Sequence, residues 1–175
     1  MNRFFNVKSL AVGSIIAALY VAVVLIFQPI SFGPFQLRIA EFLTILPFFT
    51  PLAIPGILVG CLVANIFSPY GLPDMIIGTV CSTLAAVCTY YIGKYSKLNR
   101  SLSVVLATIP PVLINAVGIG LMLSLLYSID TWYIMMTQVG GGQILSATIG
   151  GSLLALGIIK TKTDRFLRTD GFRFY

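Results

Sequence analysis

Residues 31–67 read SFGPFQLRIAEFLTILPFFTPLAIPGILVGCLVANIF. From Ile39 to Phe67 the stretch carries one charge, Glu41, and is interrupted by Pro47, Pro51 and Pro55. Each proline removes a backbone donor and clashes with the preceding turn, which argues against one continuous helix. The stretch divides instead into two short helices, at about 37–50 and 54–68, with a tight turn near Thr50 to Pro55. At 1.5 Å per residue, about 14 residues reach roughly 21 Å, short of the roughly 30 Å hydrocarbon core of a bilayer. Short, broken segments at membrane depth often flank a binding cavity.

The flanking sequence sets this pair in a larger bundle. An uncharged run from Leu10 to Phe27 predicts a first helix at about 9–28, too long for a signal-peptide core. Further apolar spans are expected at about 73–93, at 103–127 with a kink at Pro110-Pro111, and at 139–160, opening on Gly140-Gly141-Gly142. The 175 residues are 58% hydrophobic and 9% charged, whereas a soluble domain carries roughly 25% charged residues. The expected fold is therefore an all-α membrane protein, a single domain over 1–175 with six transmembrane helices in one compact bundle.

Charge placement gives an orientation. Arg3 and Lys8, then Lys94, Lys97 and Arg100, then Lys160, Lys162, Arg165, Arg168 and Arg173 fall on one side of a six-helix path, leaving Arg38 alone on the other. The positive-inside rule then predicts cytoplasmic N- and C-termini. The net charge of +6 reads as a topology signal, with anionic lipid as a further partner of the tail and nucleic acid excluded as one. The chain has no histidine, which removes His-based general bases, catalytic triads and His-containing zinc sites. No phosphate-cradling G-x-x-x-x-G-K-[ST] is present. Cys61, Cys81 and Cys88 lie in apolar runs without metal or disulfide spacing and read as small core residues. An enzyme is not expected, nor is a cofactor or a metal.

The polar residues inside the apolar segments are the candidates for function. Arg38 and Glu41 are three apart, which on a helix places them on one face. They read either as an intrahelical ion pair or as the lining of a polar pocket, with Phe32 and Phe35 as an aromatic lid. Asn65, Asn115 and Gln143 could join them. Asn115 lies four residues after Pro111 and could instead satisfy a carbonyl freed by the kink, and Gln143 could bond a neighbouring helix. Asp74, after Pro73, reads as the cap of its helix. In the first helix Ser14, Ala18 and Ala22 recur every four residues as a smooth strip, a pattern that by itself fits packing within the bundle.

The pattern Gln36-x-Arg38-x-x-Glu41-x-Leu43-x-x-Leu46-Pro47, followed by Asp74, Gly78, Thr83, Leu84 and Asn115, resembles the queuosine-precursor transporter (QueT) family. Its members are S-components of energy-coupling factor (ECF) transporters. The resemblance covers nearly the whole chain. It implies a substrate-binding subunit in the bacterial plasma membrane that captures a 7-deazaguanine, such as the aminomethyl precursor or queuine. It also implies docking on a shared transmembrane coupling subunit with two ATPases, and makes Ser14, Ala18 and Ala22 the docking strip. The implied ligand set is Phe32, Phe35, Arg38, Glu41, Asn115 and Gln143. Glu41 would face the N–H donors of the base, an amide or Arg its carbonyl, and Phe32, Phe35 or Trp132 its flat face. Members of the family frequently carry an acid where this chain has Gln143. The alternatives are an S-component for another small heterocycle or vitamin, and a structural membrane partner without a ligand.

Overall fold

A computed structural model describes residues 7–33 and 36–163, without the side chain of Lys8. Phe35, Arg3 and the tail residues Arg165, Arg168 and Arg173 lie outside the described residues. Within them the chain is helical: α1 Val7–Ile26, α2 Gln28–Ser31, a 3-10 helix Ile39–Phe48, α3 Ala53–Asn65, α4 Gly71–Tyr95, α5 Arg100–Ala107, α6 Ile109–Tyr127, α7 Trp132–Gln143, a π-helical segment Ile144–Gly150, and α8 Gly151–Lys160.

Four rods are long and apolar enough to cross a membrane, at Ser9–Ile26, Gly71–Tyr95, Arg100–Tyr127 and Trp132–Lys160. The third breaks at Thr108, where α5 ends and α6 restarts with Pro110 and Pro111 in its first turn, because neither proline has an N–H to continue the hydrogen-bond ladder of α5. The fourth begins at Trp132, seven residues before the start expected from sequence.

The two short helices expected between Ile39 and Phe67 are present, but the first is wound as a ten-residue 3-10 helix with Pro47 inside it. Such runs rarely exceed three or four residues, and at about 2.0 Å per residue this one reaches roughly 20 Å. Its period of three stacks Glu41, Thr44 and Pro47 in one row, all buried. The helix packs against α1, α3, α4, α5, α8 and the π segment, at the centre of the bundle.

Small residues set the spacing between rods. Gly56 and Gly60 let α3 rest directly on α1: a Cβ at Gly56 would lie 2.8 Å from the Gly13 carbonyl, and one at Gly60 would lie 2.8 Å from Tyr20 Cβ. The inward face of α1 is thus Gly13, Ile16, Ala17 and Tyr20. Ser14, Ala18 and Ala22 are exposed on its other side, so they take no part in packing within the bundle.

The distribution of polarity is inverted relative to a water-soluble protein. Leu113 and Leu153 are 60% and 64% exposed, while Arg38, Glu41, Asp74, Asn115 and Gln143 are buried. Lipid makes apolar side chains cost little on the outside, and charged groups then turn inward toward partners. Cys61 and Cys81 are core residues as expected, but Cys88 is exposed. It lies on the apolar outer surface of α4, three residues from exposed Tyr91 and four from exposed Leu84.

Candidate functional site

Two buried polar groups lie inside the bundle, one around Arg38 and Asp74 and the other around Glu41. In the first, Arg38 Nη2 donates to both carboxylate oxygens of Asp74, at 2.9 and 2.7 Å, with both side chains buried. The Phe32 ring lies 5.3 Å from the guanidinium carbon, close enough for a cation–π contact. Ser68 Oγ donates to Asp74 Oδ2 at 2.6 Å, and Asn65 Nδ2 donates to the Asp74 backbone carbonyl at 3.1 Å. Gly78, one turn along α4, leaves the room these groups occupy.

Arg38 and Glu41 do not form the intrahelical ion pair that their spacing allows. The 3-10 helix begins at Ile39, and Arg38 precedes it in an extended conformation with φ −77° and ψ 91°. The i, i+3 geometry of a helix therefore does not apply, and the guanidinium reaches across to α4. Asp74 does lie in the first turn of α4, but no capping bond is made by the N-cap residue Tyr70 and the Asp74 carboxylate is bonded to Arg38 and Ser68. A carboxylate held by a buried guanidinium gains more than one facing a helix terminus.

Glu41 anchors the second group. Its Oε1 accepts from Tyr20 Oη at 2.6 Å and from Ser82 Oγ at 2.8 Å, and its Oε2 accepts from Asn115 Nδ2 at 3.4 Å. Four helices converge there: α1 through Tyr20, the 3-10 helix, α4 through Ser82, and α6 through Asn115. The Asn115 amide is thus directed at Glu41, not at a carbonyl of the proline kink. Cys61 Sγ belongs to the first group, lying 3.4 Å from Asn65 Nδ2 and 4.0 Å from Arg38 Nη1.

Among the described residues several buried polar atoms have no hydrogen-bond partner, including Ser31 Oγ, both amide atoms of Gln36, Arg38 Nε, Thr79 Oγ1, Asn115 Oδ1 and Gln143 Oε1. An unsatisfied buried donor or acceptor costs about 1–3 kcal/mol, so each of these atoms calls for a partner such as water or a solute. Among the described residues no group of three or more His, Cys, Asp or Glu could hold a metal ion.

Residues 10–160 match the model of the QueT transporter family. The chain belongs to that family. No curated protein and no solved structure matches it. Membership in the QueT transporter family, together with four helices of spanning length, makes it a membrane protein of transport function, and a transporter family accounts for the chain without catalysis.

Of the residues expected at a QueT ligand site, Phe32 contacts Arg38 in the first group and Asn115 contacts Glu41 in the second, and Gln143 is buried with its oxygen unpaired among the described residues. Trp132 is 55% exposed at the start of α7, edge-on to Tyr133, and is not part of the group. Sequence reasoning missed Gln36, Thr79, Tyr20 and Ser82 as members. Gln36 was within the family pattern; the others have no sequence signal apart from being polar in apolar helices.

Proposed function

We propose that this chain is the substrate-binding S-component of an ECF importer, taking up a queuosine precursor or related 7-deazaguanine. The observation that carries the reading is the reserve of unpaired, buried hydrogen-bonding atoms beside a charged network in a transporter-family member. A flat base rich in N–H and C=O groups is the kind of solute that would use them. Phe32, Phe35, Arg38, Glu41, Asn115 and Gln143 form the substrate-binding set, with the Glu41 carboxylate serving the donors of the base.

In this reading the termini and residues 94–100 face the cytoplasm, and the connection from α2 to the 3-10 helix faces outward in a bacterial plasma membrane. The chain spans that membrane six times, with the two short helices completing the path. Ser14, Ala18 and Ala22, exposed on α1, receive the transmembrane coupling subunit, and two ATPase subunits drive the cycle. An apolar groove of about 390 Å³ between α1 and α3, lined by Gly13, Ser14, Ala17 and Gly56 among others, adjoins the strip and suits a partner helix.

The test is a thermal-shift screen of the purified chain with 7-deazaguanines, guanine, thiamine, riboflavin and biotin. A ligand at 100 times its Kd stabilises by about 2.7 kcal/mol, so a deazaguanine should raise the melting temperature and the others should not. A shift by a different vitamin would reassign the solute, and no shift by any compound would favour a structural membrane partner.

A further inference from the structure

Gln36 is fully buried, and among the described residues it is the buried amide side chain whose nitrogen and oxygen are both unpartnered. The Tyr70 hydroxyl faces it but is committed elsewhere, donating to the Phe32 carbonyl at 3.4 Å, and does not meet hydrogen-bond geometry with the amide. Arg38, two residues on, spends Nη2 on Asp74, while its Nε, like the Gln36 amide, has no partner among the described residues.

The backbone at Gln36 is equally distinctive. Its φ is +46°, a left-handed conformation that glycine and asparagine enter more readily. Two hydrogen bonds hold it: the Gln36 N–H donates to the Gly33 carbonyl at 2.9 Å, and the Arg38 N–H donates to the Gln36 carbonyl at 2.8 Å. The second closes a tight three-residue turn. A strained residue fixed on both sides, with an unused amide turned away from solvent, is the mark of a site in which strain serves function.

We infer that Gln36 is a specificity-determining residue of the solute site, its side-chain amide pairing with the lactam edge of the bound base. This rests on the solute reading above. The donor and acceptor of a primary amide lie side by side in one plane, matching an adjacent ring N–H and C=O, as amide side chains match paired base-edge groups elsewhere. Nε2 donates to the ring carbonyl and Oε1 accepts from the ring N–H. Recognition of the lactam edge then falls to a neutral group, beside the charged residues of the substrate-binding set.

The experiment compares binding of 7-deazaguanine and its O6-methyl ether, which lacks the lactam N–H, by the purified full chain. Wild type should favour the parent base by about a hundredfold or more, because a site built to bond a group rejects the analogue lacking it. Gln36→Gly removes the amide and suits the left-handed backbone. Its melting temperature without ligand should be unchanged or higher, its affinity for 7-deazaguanine at least about tenfold weaker, and its preference over the ether largely lost. Gln36→Met, which keeps volume but not the amide, should lose the same preference. A purely structural Gln36 would give the opposite pattern, with lower melting temperatures and intact preference in both variants, and that result would overturn the inference. Wild-type affinity and preference in Gln36→Gly would overturn it as well. No binding of either base by wild type would overturn the solute reading itself, and this assignment with it.

Discussion

Gly78 and Asp74 compete for the same space: a Cβ added at Gly78 would lie 2.8 Å from Asp74 Oδ1 and 2.9 Å from Asn65 Nδ2. The bidentate pairing of Asp74 with Arg38 therefore depends on a missing methyl group one turn away. Gly78→Ala is expected to destabilise the chain by about 1–3 kcal/mol, the usual cost of overpacking, and to weaken solute binding. A lower melting temperature in detergent checks the first effect, and titration of the folded fraction checks the second.

Breaking the pair itself should cost more. Asp74→Asn leaves the Arg38 charge buried without its counterpart, for which about 3–5 kcal/mol is expected. Adding Arg38→Gln to Asp74→Asn should recover part of that loss, since no uncompensated charge remains. Melting temperatures of the two single variants and the double variant measure it, and a double variant weaker than Asp74→Asn would count against the pairing.

Glu41 is held by hydroxyls from two helices, and that makes its two roles separable. Tyr20→Phe should lower stability by about 1.5–3 kcal/mol, the range for a bond to a charged group. Tyr20→Phe and Ser82→Ala should be non-additive, because both donors share one oxygen. Glu41→Gln should in addition weaken solute binding at least about tenfold, or 1.4 kcal/mol. Arg38→Gln is the companion measurement: if Arg38 serves only to pair with Asp74, it changes melting temperature more than affinity.

On α1 the two faces should respond differently. Ala18→Leu with Ala22→Leu enlarges exposed positions and should leave melting and solute binding intact while uptake through the assembled transporter fails. Ala17→Leu enlarges the face that meets Gly60 and should lower the melting temperature directly. Unchanged uptake in the Ala18, Ala22 variant would remove the strip from partner docking.

Orientation has its own test. Leu98 is half exposed in the segment between α4 and α5. In a Cys88→Ser background, Leu98→Cys should resist an impermeant thiol reagent added outside intact cells and react once the cells are opened. Efficient labelling from outside would reverse the topology.

The helical class, the spanning rods and the proline-broken pair between Ile39 and Phe67 were legible because they rest on local rules of length, hydropathy and proline sterics. Polar residues within apolar segments likewise pointed to Arg38, Glu41, Asn115 and Gln143. Their partners were not legible. Arg38 meets Asp74 across the bundle, and Glu41 meets Tyr20 and Ser82 from two other helices, contacts that no spacing along the chain encodes. The i, i+3 rule misled for Arg38 and Glu41 because it assumes helix at both positions, and the helix starts between them. Nothing in the composition of Ile144–Gly150 announces a π-helical segment. The buried stripe Met135, Val139, Gln143, Ala147, Gly151 and Ala155 recurs every four residues. A straight α-helix of 3.6 residues per turn would carry such a stripe steadily around its axis, and the wider π turn offsets that drift. Gln143 thereby shares a face with the residues below it.

The separation of Arg38 and Asp74 by 36 residues also bears on how the chain is made. Synthesis proceeds from the N-terminus, so Arg38 leaves the ribosome well before the carboxylate that neutralises it. A lone guanidinium at membrane depth is costly, and the carboxylate that offsets that cost comes only with α4. The 3-10 helix and α3, each roughly 20 Å long, are too short to be held across the bilayer by their own hydrophobic length. The central pair thus gains its ion-pair partner only with α4, and its packing against α5 and α8 only when those later segments follow.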